Sequence, residues 1–224
     1  MAGDRRRLAE LDAELREAAE GYEFNRYARA LMAFANDDLS AFFFDIRKDS
    51  LYCDAPNDPK RRAYRTVLDT TFHALVRWLT PILCFTTEEV WQTRFPAHGS
   101  VHLQEWPEID TSWLDHPLAS KWDAIRTVRE KVTEMIEPLR RDKVVGSSLE
   151  ARITYPESAL EVLGGDLAEL AEIFIVSEVV PSASWDEVGV ARTDYMKCGR
   201  CWRLLPEVAE DGDLCGRCEG VVNE

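Results

Sequence analysis

At 224 residues, with 46% hydrophobic content and seven tryptophans, the chain can bury a sizeable core and is no disordered tail. Its formal net charge of −14 argues against broad, unspecific nucleic-acid affinity while leaving room for a local basic patch. No apolar run approaches the length of about eighteen residues that a membrane span needs.

Leu8, Leu11, Leu15, Ala18 and Tyr22 recur in steps of three and four, which puts them on one helix face, with Gly21 as a break. A second helical run carries Tyr27, Leu31, Phe34, Leu39, Phe42 and Phe43 and ends in the turn-rich stretch from Asp54 to Pro59. A third uses Leu68, Phe72, Leu75 and Leu79 and stops at Pro81, which has no amide proton for a helix interior. Thr86 and Glu89 are spaced as a capping box opening a short helix with Val90 and Trp91. Residues 95–117 are loop-like. A long amphipathic helix follows through Trp122, Ile125, Val128, Val132, Met135 and Leu139, with a kink or early stop expected at Pro138.

After Gly146-Ser147-Ser148 the texture changes. The stretch from Leu149 to Tyr155 alternates like a strand, and residues 158–172 suit a helix interrupted at Gly164-Gly165. Ile173 to Val176, with Val179 and Val180, suits a buried strand. The expected fold is mainly α: an antiparallel helical bundle, then a small α+β unit, then a C-terminal zinc knuckle. The segments are 1–146, 147–194 and 195–224.

The most specific signal is Cys198-Gly199-Arg200-Cys201, repeated as Cys215-Gly216-Arg217-Cys218. A two-residue gap lets a tight turn aim both thiolates at one ion, and two such turns close a tetrahedral site for structural zinc. Two disulfides are the alternative and would require an oxidising compartment. The amino-terminal Met-Ala-Gly-Asp-Arg-Arg-Arg leads into a charged helical pattern with no apolar leader, which favours zinc. Four thiolates leave no open coordination position, so the metal is a staple and not a reaction centre. Cys53 and Cys84 are expected as free thiols, Cys84 as a small core residue.

No phosphate-cradling glycine loop, dinucleotide fingerprint or metalloprotease helix motif is present, and the four histidines are scattered. No catalytic residue is assigned. Positive charge gathers at Lys60, Arg61, Arg62 and Arg65, from Arg126 to Lys143, and around the cysteines at Lys197, Arg200, Arg203 and Arg217. Each cluster taken singly is more simply a solvated face.

Taken in order, Leu39 to Phe42, Asp45 to Tyr52, Arg61-Arg62, Pro81 to Trp91, and Val101-His102-Leu103 before Trp106-Pro107 resemble one family. It is the anticodon-binding helical domain of class I aminoacyl-tRNA synthetases of the isoleucine, valine and leucine group. The turn from Val145 to Ala151 and the terminal Cys-Gly-Arg-Cys pairs narrow the resemblance to the bacterial isoleucyl-tRNA synthetase family. The resemblance implies a role in holding the anticodon arm of isoleucine tRNA, within an enzyme that charges it using ATP. It also implies a monomer in the cytoplasm, working with the remaining domains of the same synthetase and away from membranes. The family's two ATP-handling signatures appear nowhere in this sequence, so ATP and Mg belong to a catalytic part outside it. The chain is expected to be a C-terminal fragment, inactive alone.

By that resemblance, Arg200 and Trp202 are the leading anticodon contacts, with Lys197, Arg203, Arg61 and Arg62 as further tRNA-binding candidates. Splayed bases stack on aromatic or guanidinium planes while basic side chains meet phosphates. The alternative is that Trp202 covers a small zinc core, and the two roles can coexist. From residue 196 onward four basic residues face six acidic ones, so binding there rests on local placement. Two rivals are a protein-interaction module without RNA specificity and a thiol redox protein.

Overall fold

The computed structural model describes residues 2–184 and 187–223. Contacts divide the chain into two compact units, residues 1–45 with 62–116, and residues 46–61 with 117–224. This grouping follows packing and not the change of texture at residue 146: most of the long helix that precedes that change belongs to the second unit.

The first unit is helical. Helix α1 spans Ala2–Glu20, and Gly21-Tyr22 turns the chain into α2, Phe24–Ala33, with Tyr22 at a left-handed φ of 56°. The next eleven residues, Phe34–Phe44, are wound as π-helix, and α3, Asp45–Cys53, continues the same run but from Ile46 onward belongs to the second unit. Helix α4 spans Pro59–Leu79 and α5 spans Cys84–Arg94. Leu8, Leu11, Leu15 and Ala18 of α1 pack with Tyr27, Leu31, Phe34, Ala74 and Trp78. Two polar side chains at this core reach acceptors: the Tyr27 hydroxyl donates to the Trp78 carbonyl at 2.7 Å, and Trp106 Nε1 donates to Asp12 at 2.6 Å. A smaller cluster joins Val76, Trp91 and Val101 with Phe72 and Phe95.

Two expectations fail here. The Thr86–Glu89 capping box does not form, because α5 begins three residues earlier with Leu83 at its N-cap and no side-chain cap. Glu88, not Glu89, is the structural acid: it accepts from Ser100 Oγ at 2.8 Å and from the Val101 amide at 2.9 Å. Cys84 is exposed, since the first turn of α5 carries it and packs only its later residues.

The second unit is α+β. Helix α6 spans His116–Arg141 and buries Ile125, Val132 and Ile136. It runs through Pro138 to Arg141, so of the expected kink or early stop the stop does not occur; a proline removes one backbone bond, and the Asp142 amide still closes on the Pro138 carbonyl at 2.9 Å. Strand β1, Ala151–Pro156, is central: β2, Glu178–Ser182, pairs with it in parallel and β3, Gly189–Arg192, antiparallel. Between β1 and β2 lie α7, Glu157–Val162, and α8, Leu167–Phe174, on either side of the two glycines.

Ile173 and Phe174 are the last residues of α8 and not part of a strand. Asp166 caps that helix by accepting from the Glu169 amide, and Leu170, Ala171, Ile173 and Phe174 form its buried face. Ile175, at a left-handed φ of 57°, ends it, and the Val176 amide closes on the Ala171 carbonyl at 3.0 Å. Arg47 of α3, 2% exposed, is neutralised by Glu172 of α8 at 3.0 Å.

Candidate functional site

The four sequence-selected cysteines form one cluster. Strands β4, Met196–Lys197, and β5, Leu204–Leu205, bracket the first Cys-Gly-Arg-Cys turn, and Cys215 precedes helix α9, Gly216–Val222, which carries Cys218. Within the first turn the Cys198 amide donates to the Arg203 carbonyl at 2.9 Å and the Trp202 amide to the Cys198 carbonyl at 3.0 Å. Gly199 lets the two halves approach: its amide meets the Asp213 carbonyl at 3.0 Å, and a Cβ there would collide with the Gly212 carbonyl oxygen.

All four Sγ atoms are buried and lie within 4.8 Å of one another. Cys201 and Cys215 sulfurs are 3.9 Å apart, and tetrahedral Zn–S bonds of about 2.3 Å would set such neighbours about 3.8 Å apart. The donor set therefore fits a tetrathiolate metal. Electrostatics points the same way. Burial opposes ionisation of Cys198, yet the amides of Cys201, Cys215 and Arg200 bring its thiol down to about 6, while burial pushes Cys201 and Cys215 upward. Four sulfurs in so small a volume ionise together only around a divalent cation. Val208, Leu205 and Cys53, the last residue of α3, cover the cluster.

Arg200 and Trp202 have different surroundings. Arg200 Nη1 donates to the Cys53 carbonyl at 2.6 Å and to Cys218 Sγ at 3.5 Å, and Nη2 to the Tyr52 carbonyl at 3.4 Å. The guanidinium is thus engaged with the carbonyl end of α3, where a helix leaves acceptors unsatisfied and carries partial negative charge. Trp202 is 66% exposed at a left-handed φ of 64°, so it does not cover the sulfur core. Lys197 is exposed, and Arg203, next to Trp202 in the chain, is half-buried.

Arg61, like Arg200, is committed near the end of α3: its Nη1 donates to the carbonyl of Asp54, the residue after that helix, at 2.6 Å. Arg62 is exposed and belongs to the other unit. Arg217, counted in the basic cluster by sequence but given no role there, binds Asp49 through both terminal nitrogens and Asp54 at 2.8 Å. The signal was present: Arg200 and Arg217 occupy the same position in the two repeated turns, and both face the end of α3.

The family described as anticodon-binding domain of tRNA ligase matches residues 5–155. The isoleucine–tRNA ligase of Zymomonas mobilis subsp. mobilis is 56% identical over 223 residues, covering 97% of this chain and 24% of that protein. That of Gluconobacter oxydans is 45% identical over 227 residues, 97% of this chain and 23% of that protein. That of Agrobacterium fabrum is 42% identical over 219 residues, 92% of this chain and 23% of that protein. The chain therefore spans about a quarter of the length of the curated relatives it matches. No helix among the described residues is long and apolar enough to cross a membrane. With its ordered helical motifs, its cysteine cluster and these relatives along nearly its whole length, the chain belongs to the anticodon-binding domain family of tRNA ligases.

Proposed function

We propose that this chain holds the anticodon arm of isoleucine tRNA, as part of an isoleucine–tRNA ligase that charges that tRNA with ATP and Mg in a separate catalytic region. The observation that carries the reading is Trp202: a large aromatic side chain, 66% exposed, next to a cysteine of the buried cluster. An exposed ring on a rigid turn is a stacking platform for an unpaired base, and the backbone that carries it needs no further ordering on binding. Lys197 and Arg203 beside it, and Arg62, are the phosphate-contact candidates. Arg200 and Arg61, already bonded to carbonyls at and just past the end of α3, are read as anchors that place this surface.

Cys198, Cys201, Cys215 and Cys218 would hold one zinc, which supplies rigidity by tying the two turns together and no chemistry on the RNA. The sequence segments 1–146, 147–194 and 195–224 are proposed as bundle, junction and metal module, acting in a cytoplasmic, monomeric enzyme.

The test is binding of this chain to isoleucine tRNA and to the same tRNA with an altered anticodon, at low and moderate salt, with and without a zinc chelator. Metal-dependent preference for the native anticodon is expected, with affinity falling as salt rises. Equal binding to both tRNAs, or a stable complex with another protein and none with RNA, would overturn the reading.

A further inference from the structure

The unit made of residues 1–45 and 62–116 carries an open groove of about 690 Å³ that has no part in the cysteine cluster. That volume is in the range of roughly 300–1,000 Å³ usual for ligand sites. Arg62, Arg65, Asp69 and Phe72 line it from α4, Phe44 from the last π-helical residue and Arg94 from the last turn of α5. The α4 residues are spaced by three and four, so they form one stripe.

The lining has two parts. Arg94 is fixed: it pairs with Asp69, and its guanidinium carbon lies 4.3 Å from the Phe72 ring centre and 5.1 Å from that of Phe95. This stack satisfies the single carboxylate of the groove and makes a firm, cationic wall. Arg62 and Arg65 are exposed and make no side-chain hydrogen bond or ion pair among the described residues. Beside them the Phe44 ring is 45% exposed.

Three guanidinium groups against one carboxylate make a positive spot on a chain of net charge −14. Two uncommitted arginines call for anionic oxygens, and the exposed ring calls for a flat partner. A nucleotide carries both in every unit, whereas an acidic peptide supplies the flat partner only where an aromatic residue falls beside its carboxylates. We infer that this groove holds one or two nucleotides of single-stranded RNA, with Arg62 and Arg65 on phosphates and Phe44 under a base. The inference rests on the reading of the chain as RNA-binding and adds a second contact surface, away in sequence from Trp202.

The experiment titrates the anticodon stem-loop of isoleucine tRNA onto the full chain and onto R62A/R65A, F44A and W202A, at several salt concentrations. All three groove positions are exposed, so circular dichroism and zinc content should stay as in the parent protein. R62A/R65A should bind more weakly, and the slope of log affinity against log salt should fall by about 1.4, roughly 0.7 for each lost single-strand phosphate contact. F44A should bind at least about fivefold more weakly with an unchanged salt slope, the lower limit expected for loss of one stacked base.

Wild-type binding that R62A/R65A leaves intact would overturn the groove while sparing the function proposed above. A salt-slope change in R62A/R65A with no effect of F44A would reduce the groove to a phosphate patch and overturn the nucleotide assignment. Absence of wild-type binding would overturn both readings together.

Discussion

Arg217 and Asp49, 168 residues apart in sequence, form a two-pronged ion pair: Nη1 meets Oδ2 at 2.7 Å and Nη2 meets Oδ1 at 2.9 Å. The pair ties the second cysteine turn to α3, and Asp54 takes a further bond from the same guanidinium at 2.8 Å. A planar fork matches a carboxylate in a way that an ammonium cannot. Arg217→Ala should lower stability by about 1.5–3 kcal/mol, the usual range for bonds to charged groups. Arg217→Lys should recover less than half of that loss. Urea unfolding of both variants and of Asp49→Ala checks this, and additive losses in the double variant would contradict direct coupling.

Metal removal should unfold the last thirty or so residues selectively. Apart from Cys53, Val208 and Leu205, little apolar surface covers the cluster, and structural zinc commonly contributes about 10–16 kcal/mol to small modules of this kind. After chelation, hydrogen exchange should quicken from β4 to α9, while the amides of α1 and α2 keep their protection. Cys215→Ser should lose the bound zinc equivalent. Unchanged protection of α9 after chelation would show that the protein packing suffices without metal.

Trp202 combines high exposure with left-handed backbone, a conformation costing a non-glycine residue about 1–2 kcal/mol. Trp202→Gly should therefore retain zinc and gain about 0.5–1 kcal/mol of stability, as relief of strain outweighs the extra freedom of glycine in the unfolded chain. Trp202→Ala should retain zinc with stability within about 0.5 kcal/mol of the parent. Both should bind RNA more weakly. Thermal unfolding and zinc content give the readout; loss of zinc in either variant would return Trp202 to a packing role.

Glu88 accepts first from Ser100 Oγ, then from the Val101 amide and Gln92, and these bonds hold its carboxyl below the ordinary glutamate value. A carboxyl whose folded value is lowered stabilises above its unfolded value of about 4.3 and loses that contribution as pH falls through the folded value. Glu88→Gln should thus be less stable than the parent at neutral pH and equal to it in strong acid. Thermal unfolding across acid pH checks the convergence, and a constant gap between the two proteins would contradict it.

Periodicity in Leu8, Leu11, Leu15 and Ala18, the break at Gly21, and the Cys-Gly-Arg-Cys spacing were enough to place the first helices and the sulfur cluster. These are local signals, set by helix pitch and turn geometry. The π-helical stretch at Phe34–Phe44 left no mark in the hydrophobic pattern. Ile173 and Phe174 looked like strand because β-branched and aromatic residues suit both a strand and a buried helix face; Asp166 and the left-handed Ile175 decide the matter. Cys84 and the Thr86 cap were misplaced for one reason: helix boundaries depend on what the first turn packs against.

The sequence by itself determined the helical class, the four-cysteine cluster and the family, because these depend on spacing along one strand of chain. Tertiary structure alone decided which basic residues are committed and which stay open to a ligand. Arg61, Arg200 and Arg217 are bonded around α3, while Arg62, Arg65 and the Trp202 ring remain exposed. In sequence all five arginines look alike, since a guanidinium goes to whichever carbonyls and carboxylates folding brings within reach.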